Sequence, residues 1–146
     1  MKTITVSKIR GRESFYDPVK LFAKDWSGTS MDILDRKDIS FEDRLWVLCL
    51  SLLLSDKLLH RFGVWCAREA QQLTREEIWG AGRETARVFA WNEAWGAARA
   101  MAVKAARAAS PDADWNTTWE TVFAATRDAQ EKKLREMIIA GIETGD

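Results

Sequence analysis

The sequence predicts an all-α fold, a single-domain bundle of five to seven helices with a slim, Ala- and Trp-rich central helix. Apolar residues recur at three- and four-residue spacing over most of the chain, which is the helical period. Only two prolines interrupt it, and helix-capping residues precede most periodic stretches. With 146 residues, 47% of them hydrophobic and 30% charged, the chain has the size and composition of one globular domain.

The N-terminal segment differs from the rest. Residues 1–13 are predicted to form an arm, either flexible or a short strand, because Ile4 and Val6 alternate with polar residues. Residues 14–146 are predicted to form the helical domain, in which no sheet is expected.

The first helices are short. Asp17 followed by Pro18 is typical of a helix start, and this helix is predicted to reach residue 25. The run 27–30 breaks it, and its final serine is expected to cap a turn over residues 31–36.

Two longer helices follow. Ser40 is a predicted cap for a helix over residues 41–54, which is apolar around most of its circumference and is therefore expected to be buried. Ser55 begins an amphipathic helix that extends to residue 73.

In the second half of the sequence, residues 74–77 are predicted to form a capping box that begins a short helix at 75–80. Glycines at 80 and 82 separate it from a long helix over 83–109, in which frequent alanines leave little side-chain bulk. The last helix begins at residue 111 or 114 and ends near 140, where Gly141 suits a stop.

The chemistry-bearing residues are few. Cys49 and Cys66 lie in apolar helical segments and are interpreted as free core thiols in a reducing compartment, the cytoplasm. The single histidine, His60, is expected on a solvent-facing side, and no second one is present to build a His-based metal site. No signal peptide or membrane span is recognised, and no enzyme activity, metal or cofactor is predicted.

The charge balance limits the partners. Lys and Arg total 22, as do Asp and Glu, so the net charge is zero and bulk nucleic-acid binding lacks its electrostatic driving force. The pair of helices at 41–54 and 58–73 keeps open one alternative, a helix-turn-helix DNA-binding regulator.

The eight tryptophans divide into two groups. Four of them fit apolar stripes and are predicted to be core residues: Trp46, Trp65, Trp115 and Trp119. The others include candidate interface anchors, since Trp is enriched among residues that dominate binding energy.

Two surfaces are therefore candidates for binding a partner protein. The first is an acidic cluster, for which a solvated loop with acids at a helix start is the favoured interpretation and a docking patch the alternative. The second is a Trp- and Arg-containing region. The acidic residues are Asp32, Asp35, Asp38, Glu42 and Asp43, and the second surface comprises Trp79, Arg83, Arg87, Trp91, Trp95 and Arg99.

Three segments together resemble an immunity-protein family found in phages, prophages and bacterial mobile elements. They are residues 44–47 (RLWV), residues 58–70 with LLHRF and WCAREA, and the Ala- and Trp-rich run 91–100 (WNEAWGAARA). Residues 1–39 lie outside the resemblance, and the Pro-containing turn that often follows the Cys-bearing helix in that family is absent here. The resemblance implies a helical protein that acts in conflict between phage, host and competing bacteria.

The sequence and this resemblance together predict a non-catalytic inhibitor that binds and blocks a protein target, namely a nuclease, a toxin or a defence-complex subunit. Both an anti-CRISPR-type protein and a toxin-neutralising immunity protein belong to this class. Besides the DNA-binding regulator, the second alternative is a self-assembling helical protein, so a homo-oligomer remains open. Nucleic acid and membranes are not expected as partners.

Overall fold

The computed structural model describes residues 3–5, 22, 26–51, 53–70, 86–109, 112 and 114–144. Two strands, β1 (Thr3–Thr5) and β2 (Ser27–Thr29), precede five helices in these residues. The helices are α1 (Ser30–Leu34), α2 (Phe41–Ser51), α3 (Asp56–Glu69), α4 (Ala86–Ala108) and α5 (Trp115–Thr144). The predicted all-α bundle is confirmed. The short helix predicted at 75–80 lies outside the described residues, and so does the one predicted at 17–25 except for Phe22, which is buried in the core.

The expectation that there is no sheet is wrong. β1 and β2 pair antiparallel, with Thr3 opposite Thr29 and Thr5 opposite Ser27. The turn predicted at 27–30 is therefore the partner strand of the N-terminal segment. Gly28 permits this arrangement, because a Cβ atom there would lie 2.8 Å from Trp26 Cζ2 and 2.9 Å from Asp32 Cβ.

The N-cap of α1 is Thr29 instead of the predicted Ser30. The Thr29 hydroxyl accepts from the Asp32 amide at 3.2 Å, and the Asp32 carboxylate accepts from the Thr29 amide at 2.8 Å. This reciprocal pair is a capping box. Ser30 is the first residue of the helix itself and is buried.

The caps of the next two helices agree with the sequence, but their ends do not. The Ser40 hydroxyl accepts from the Asp43 amide, and the Ser55 hydroxyl accepts from the Leu58 amide. α2 ends at Ser51 and α3 at Glu69, in each case before the predicted end. α5 shows the opposite difference, since Gly141 is buried inside a helix that continues to Thr144 and does not end it.

The core lies where α4 passes between α2, α3 and α5. Its alanines are almost fully inaccessible to solvent, as expected for a slim central helix: Ala90, Ala94, Ala97, Ala98 and Ala102. α3 and α4 run parallel, since Gly63 faces Phe89 and Ala90, while Glu69 lines a cavity together with Met101. α5 runs antiparallel to α4, with Gln130 bonded to Ala94 and Thr126 near Met101.

The aromatic residues are distributed differently from the prediction. Trp65 packs half-buried against the core, and Trp46 is half-buried beside Trp91. Trp119 is half-buried in a stack with Phe123 at a ring distance of 4.8 Å. Trp115 was predicted to be a core residue, but it is 45% exposed in the first turn of α5. His60 is also not solvent-facing, because it is half-buried and stacks on Phe89 of α4 at 5.3 Å.

Candidate functional site

The carboxylates of the acidic cluster are largely occupied within the chain. Asp32 caps α1, and Asp38 accepts two hydrogen bonds from Arg36. Asp35 pairs with Arg135 of α5 at 2.8 Å. The carboxylates that the sequence grouped into one docking patch are thus distributed over separate structural contacts.

The two carboxylates at the start of α2 are half-buried. Glu42 lies 3.5 Å from the guanidinium of Arg127, and burial raises the pKa of Asp43. Acids in the first turn also favour the helix dipole, so both have a structural use.

Arg127 connects α5 to this end of α2. Its guanidinium carbon lies 5.7 Å from the Phe41 ring and 5.3 Å from the Phe123 ring, and Nη1 donates to Gln130 at 3.2 Å. The Nη2 atom is in ion-pair range of Glu42 but makes no hydrogen bond in the described part of the chain. Burial lowers the pKa of Arg127.

The predicted Trp- and Arg-containing surface divides along α4. Trp91 is half-buried, its indole donates to the Glu42 carbonyl at 3.3 Å, and its ring meets Trp46 edge-on at 5.1 Å. Arg87 is half-buried as well. Both residues therefore contribute to the packing of α4, whereas Trp79 and Arg83 lie outside the described residues.

Trp95 and Arg99 follow Trp91 at four-residue intervals along α4, but they lie at the solvent. Trp95 is 37% exposed, Arg99 is exposed, and the Arg99 guanidinium carbon lies 5.6 Å from the centre of the indole ring. This contact is a cation–π interaction. The structure thus brings together two of the predicted site residues, at the solvent.

The same side of α4 continues beyond Arg99 with residues that sequence reasoning missed. Val103 and Arg107 follow at four-residue intervals, and Lys104 lies beside them. Together they line an open depression of about 730 Å³. We call this surface the basic face of α4, and its residues are Trp95, Gly96, Arg99, Ala100, Val103, Lys104, Arg107 and Ala108. The spacing 95, 99, 103 and 107 was the available signal, but the surrounding alanines concealed it.

The basic face of α4 carries three cations, and the Glu69 carboxylate of α3 lines an adjoining depression together with Lys104. Arg99, Lys104 and Arg107 are all exposed. None of them forms an ion pair in the described ranges of the chain. The whole of α4 contains four cationic residues and a single carboxylate, Glu93. A neutral protein thus presents a local patch that attracts carboxylates.

An apolar cavity of about 310 Å³ lies where α3, α4 and α5 meet. Trp65, Met101 and Val122 contribute apolar walls. Two polar side chains at its edge are already bonded, because Thr126 donates to the Val122 carbonyl and Gln130 donates to the Ala94 carbonyl. Both side chains therefore already use a donor group within the protein.

The predicted core thiols are confirmed. Cys49 and Cys66 are free and buried. Burial raises the pKa of Cys49 to about 12 and raises that of Cys66 as well, so neither thiol is activated as a nucleophile. Among the described residues, no group of three His, Cys, Asp or Glu side chains could hold a metal ion. No helix in these residues has both the length and the apolar character to cross a membrane.

Comparison with protein families, with curated proteins and with solved structures returned no match to this chain. The resemblance to the immunity-protein family of phages and mobile elements stays a prediction. The basic face of α4 is the candidate functional site that the geometry favours.

Proposed function

We propose that this protein is a non-catalytic inhibitor of the phage or mobile-element immunity and anti-defence class, which binds a target protein and blocks it. Its targets would be a nuclease, a toxin or a subunit of a defence complex in the bacterial cytoplasm. Anti-CRISPR-type and toxin-neutralising activities both fit this mode of action, which requires no cofactor.

The observation that supports this proposal is the exposed Trp95–Arg99 pair on α4. Trp and Arg are the side chains most enriched among the residues that dominate binding energy. Here they are held on a helix whose opposite side is packed in the core, so little order has to be gained on binding. The acidic cluster provides a weaker case, because four of its five carboxylates already have partners in the chain.

The mode of inhibition follows from the same geometry. When the face of α4 binds, it covers a patch of the target surface. The rest of the bundle then blocks other molecules from reaching that patch. Inhibition by occlusion needs tight and specific association, and it needs no reaction on the protein itself.

The test is affinity capture by the full chain from lysate of phage-infected or toxin-bearing bacteria, read by mass spectrometry. The variant Trp95→Ala/Arg99→Ala is compared with the matched control Trp115→Ala/Arg68→Ala, which removes an exposed Trp and an exposed Arg elsewhere. We expect the wild type and the control to retain one stoichiometric protein, and the α4 variant to lose it. Circular dichroism and thermal melting check that both variants fold.

Two other results would contradict this proposal and favour a different function. Recovery of nothing except the protein itself, in a defined oligomer, would favour self-assembly. Recovery of duplex DNA that is released steeply by salt would favour the helix-turn-helix regulator.

A further inference from the structure

We propose that the basic face of α4 docks an acidic α-helix of the target protein. This inference rests on the proposed function, because it names the chemistry of the partner at that site. Three features of the described residues carry it: the charge, the relief of the surface and the position of the indole.

The charge selects an acidic partner. Arg99 and Arg107 lie eight residues apart, so about 12 Å separates them along the helix axis, and Lys104 lies between them. A helix that carries Asp or Glu at four- or eight-residue intervals presents carboxylates at the same spacing. Opposite charges in register fix the orientation of a partner and speed its association.

The relief of the surface suits a helix. Gly96, Ala100 and Ala108 have little or no side chain and lie between the longer side chains of this face. Helices pack with axes 8–10 Å apart when small residues let the ridges of one enter the grooves of the other. A partner helix can therefore lie along these residues while its carboxylates reach the cations on either side.

Trp95 marks one end of the docking surface. Its indole offers an apolar surface to a Leu, Met or aromatic residue of the partner, and Val103 offers a second apolar contact two turns further on. The Arg99 guanidinium lies over this indole in the cation–π contact. A partner helix with one apolar residue followed by acidic residues matches this order.

Single-stranded nucleic acid fits the same face less well. Proteins that bind it stack successive bases on several aromatic rings. The basic face of α4 has one aromatic ring, and a guanidinium lies over that ring. The chain also has no net positive charge to attract a polyanion from a distance.

The test uses three stapled helical peptides with one shared apolar residue, which differ only in having Glu, Gln or Lys at the remaining exposed positions. Single-stranded and duplex DNA of the same net charge as the Glu peptide serve as further probes. Binding to the full-length protein is measured by fluorescence anisotropy of the labelled probe at low and high salt. We expect the Glu peptide to bind at least about tenfold more tightly than the Gln peptide, and salt to weaken this binding.

The variant Arg99→Glu/Arg107→Glu should weaken binding of the Glu peptide at least about tenfold and should strengthen binding of the Lys peptide. The matched control Arg68→Glu/Lys132→Glu reverses two exposed cations on α3 and α5 and should leave both affinities unchanged. Sedimentation velocity of each variant without peptide checks folding and tests whether the face joins copies of this chain.

Several outcomes would overturn this inference. They are equal binding of the Glu and Gln peptides, equal losses in the two variants, tighter binding of DNA than of the Glu peptide, and a wild-type oligomer that only the α4 variant abolishes. The capture experiment separates this failure from failure of the proposed function. If Trp95→Ala/Arg99→Ala abolishes capture while the peptides do not discriminate by charge, the chain binds its target through this face but the target is not an acidic helix.

Discussion

The Arg44 guanidinium of α2 pairs with the Glu131 carboxylate of α5, although the two residues are 87 positions apart in sequence. Arg44 is buried and also donates to the carbonyl oxygens of Ile39 and Leu34. Lys37 pairs with the same carboxylate. One arginine thus holds the loop before α2, the end of α1 and the middle of α5 together.

Removing this arginine should destabilise the fold. We expect Arg44→Ala to lower the free energy of unfolding by about 3 kcal/mol, because it leaves a partly buried carboxylate and two carbonyl groups without their donor. Chemical denaturation monitored by tryptophan fluorescence measures this change. Arg135→Ala, which breaks the more exposed pair with Asp35, is the control and should cost less than about 1 kcal/mol. Equal costs in the two variants would contradict the structural role of Arg44.

Glu131 should make stability depend on acid pH. Burial raises the pKa of Glu131, but the hydrogen bonds and positive charges of Lys37 and Arg44 together lower it by more, so it lies below its ordinary value. A carboxylate whose pKa is depressed on folding stabilises the protein above its unfolded pKa, and this contribution is lost as the pH falls through the folded pKa. We therefore expect the free energy of unfolding to decrease below about pH 4.3.

The variant Glu131→Gln tests the source of that dependence. Denaturation curves from neutral pH to about pH 3 should show a shallower decrease in the variant than in the wild type. Asp38 and Asp114 also have lowered pKa values and will retain part of the slope. An unchanged slope in the Gln variant would assign the acid sensitivity to other groups.

Gly63 should not tolerate a side chain. A Cβ atom there would lie 2.7 Å from Phe89 Cε1 and 3.2 Å from the Ala90 Cα of α4. We expect Gly63→Ala to destabilise the protein by about 1–3 kcal/mol through overpacking, although Ala ordinarily favours helix over Gly. Thermal and denaturant unfolding measure the change. The loss should be smaller in a Phe89→Ala background, and an equal loss there would assign the cost to the backbone contact.

Both cysteines should be protected in the native state. Cys49 and Cys66 are buried and their pKa values are raised, so little thiolate is available at neutral pH. We expect a chromogenic disulfide reagent to react at least about a hundredfold more slowly with the native protein than with protein in guanidinium chloride. Cys49→Ser and Cys66→Ser assign the two rates. Rapid native reaction of either thiol would contradict its placement in the core.

Local sequence signals predicted the helices well because a helix is formed by contacts three and four residues apart. Ser40 and Ser55 were recognised as caps because a cap bonds to an amide within the next turn. The alanine pattern of α4 likewise predicted a slim helix that packs closely on its neighbours. These features require no knowledge of which helix lies beside which.

Contacts between distant segments could not be predicted in this way. The strand at Ser27–Thr29 exists because Thr3–Thr5 supplies its hydrogen-bonding partner, and the isolated sequence reads as a turn. The acidic cluster looked like one surface, but Arg135 and Arg127 come from the last helix to pair with two of its members. The exposure of Trp115 and the partial burial of Trp91 depend in the same way on the elements that pack beside them.

The candidate site shows the same division. Residue types and their four-residue spacing establish that Trp95, Arg99 and Arg107 lie along one side of a helix. Whether that side meets the core or the solvent depends on where α2, α3 and α5 pack around α4, and burial of its alanines directs the basic face outward. Helical periodicity is a property of the chain, whereas exposure is a property of the packed bundle.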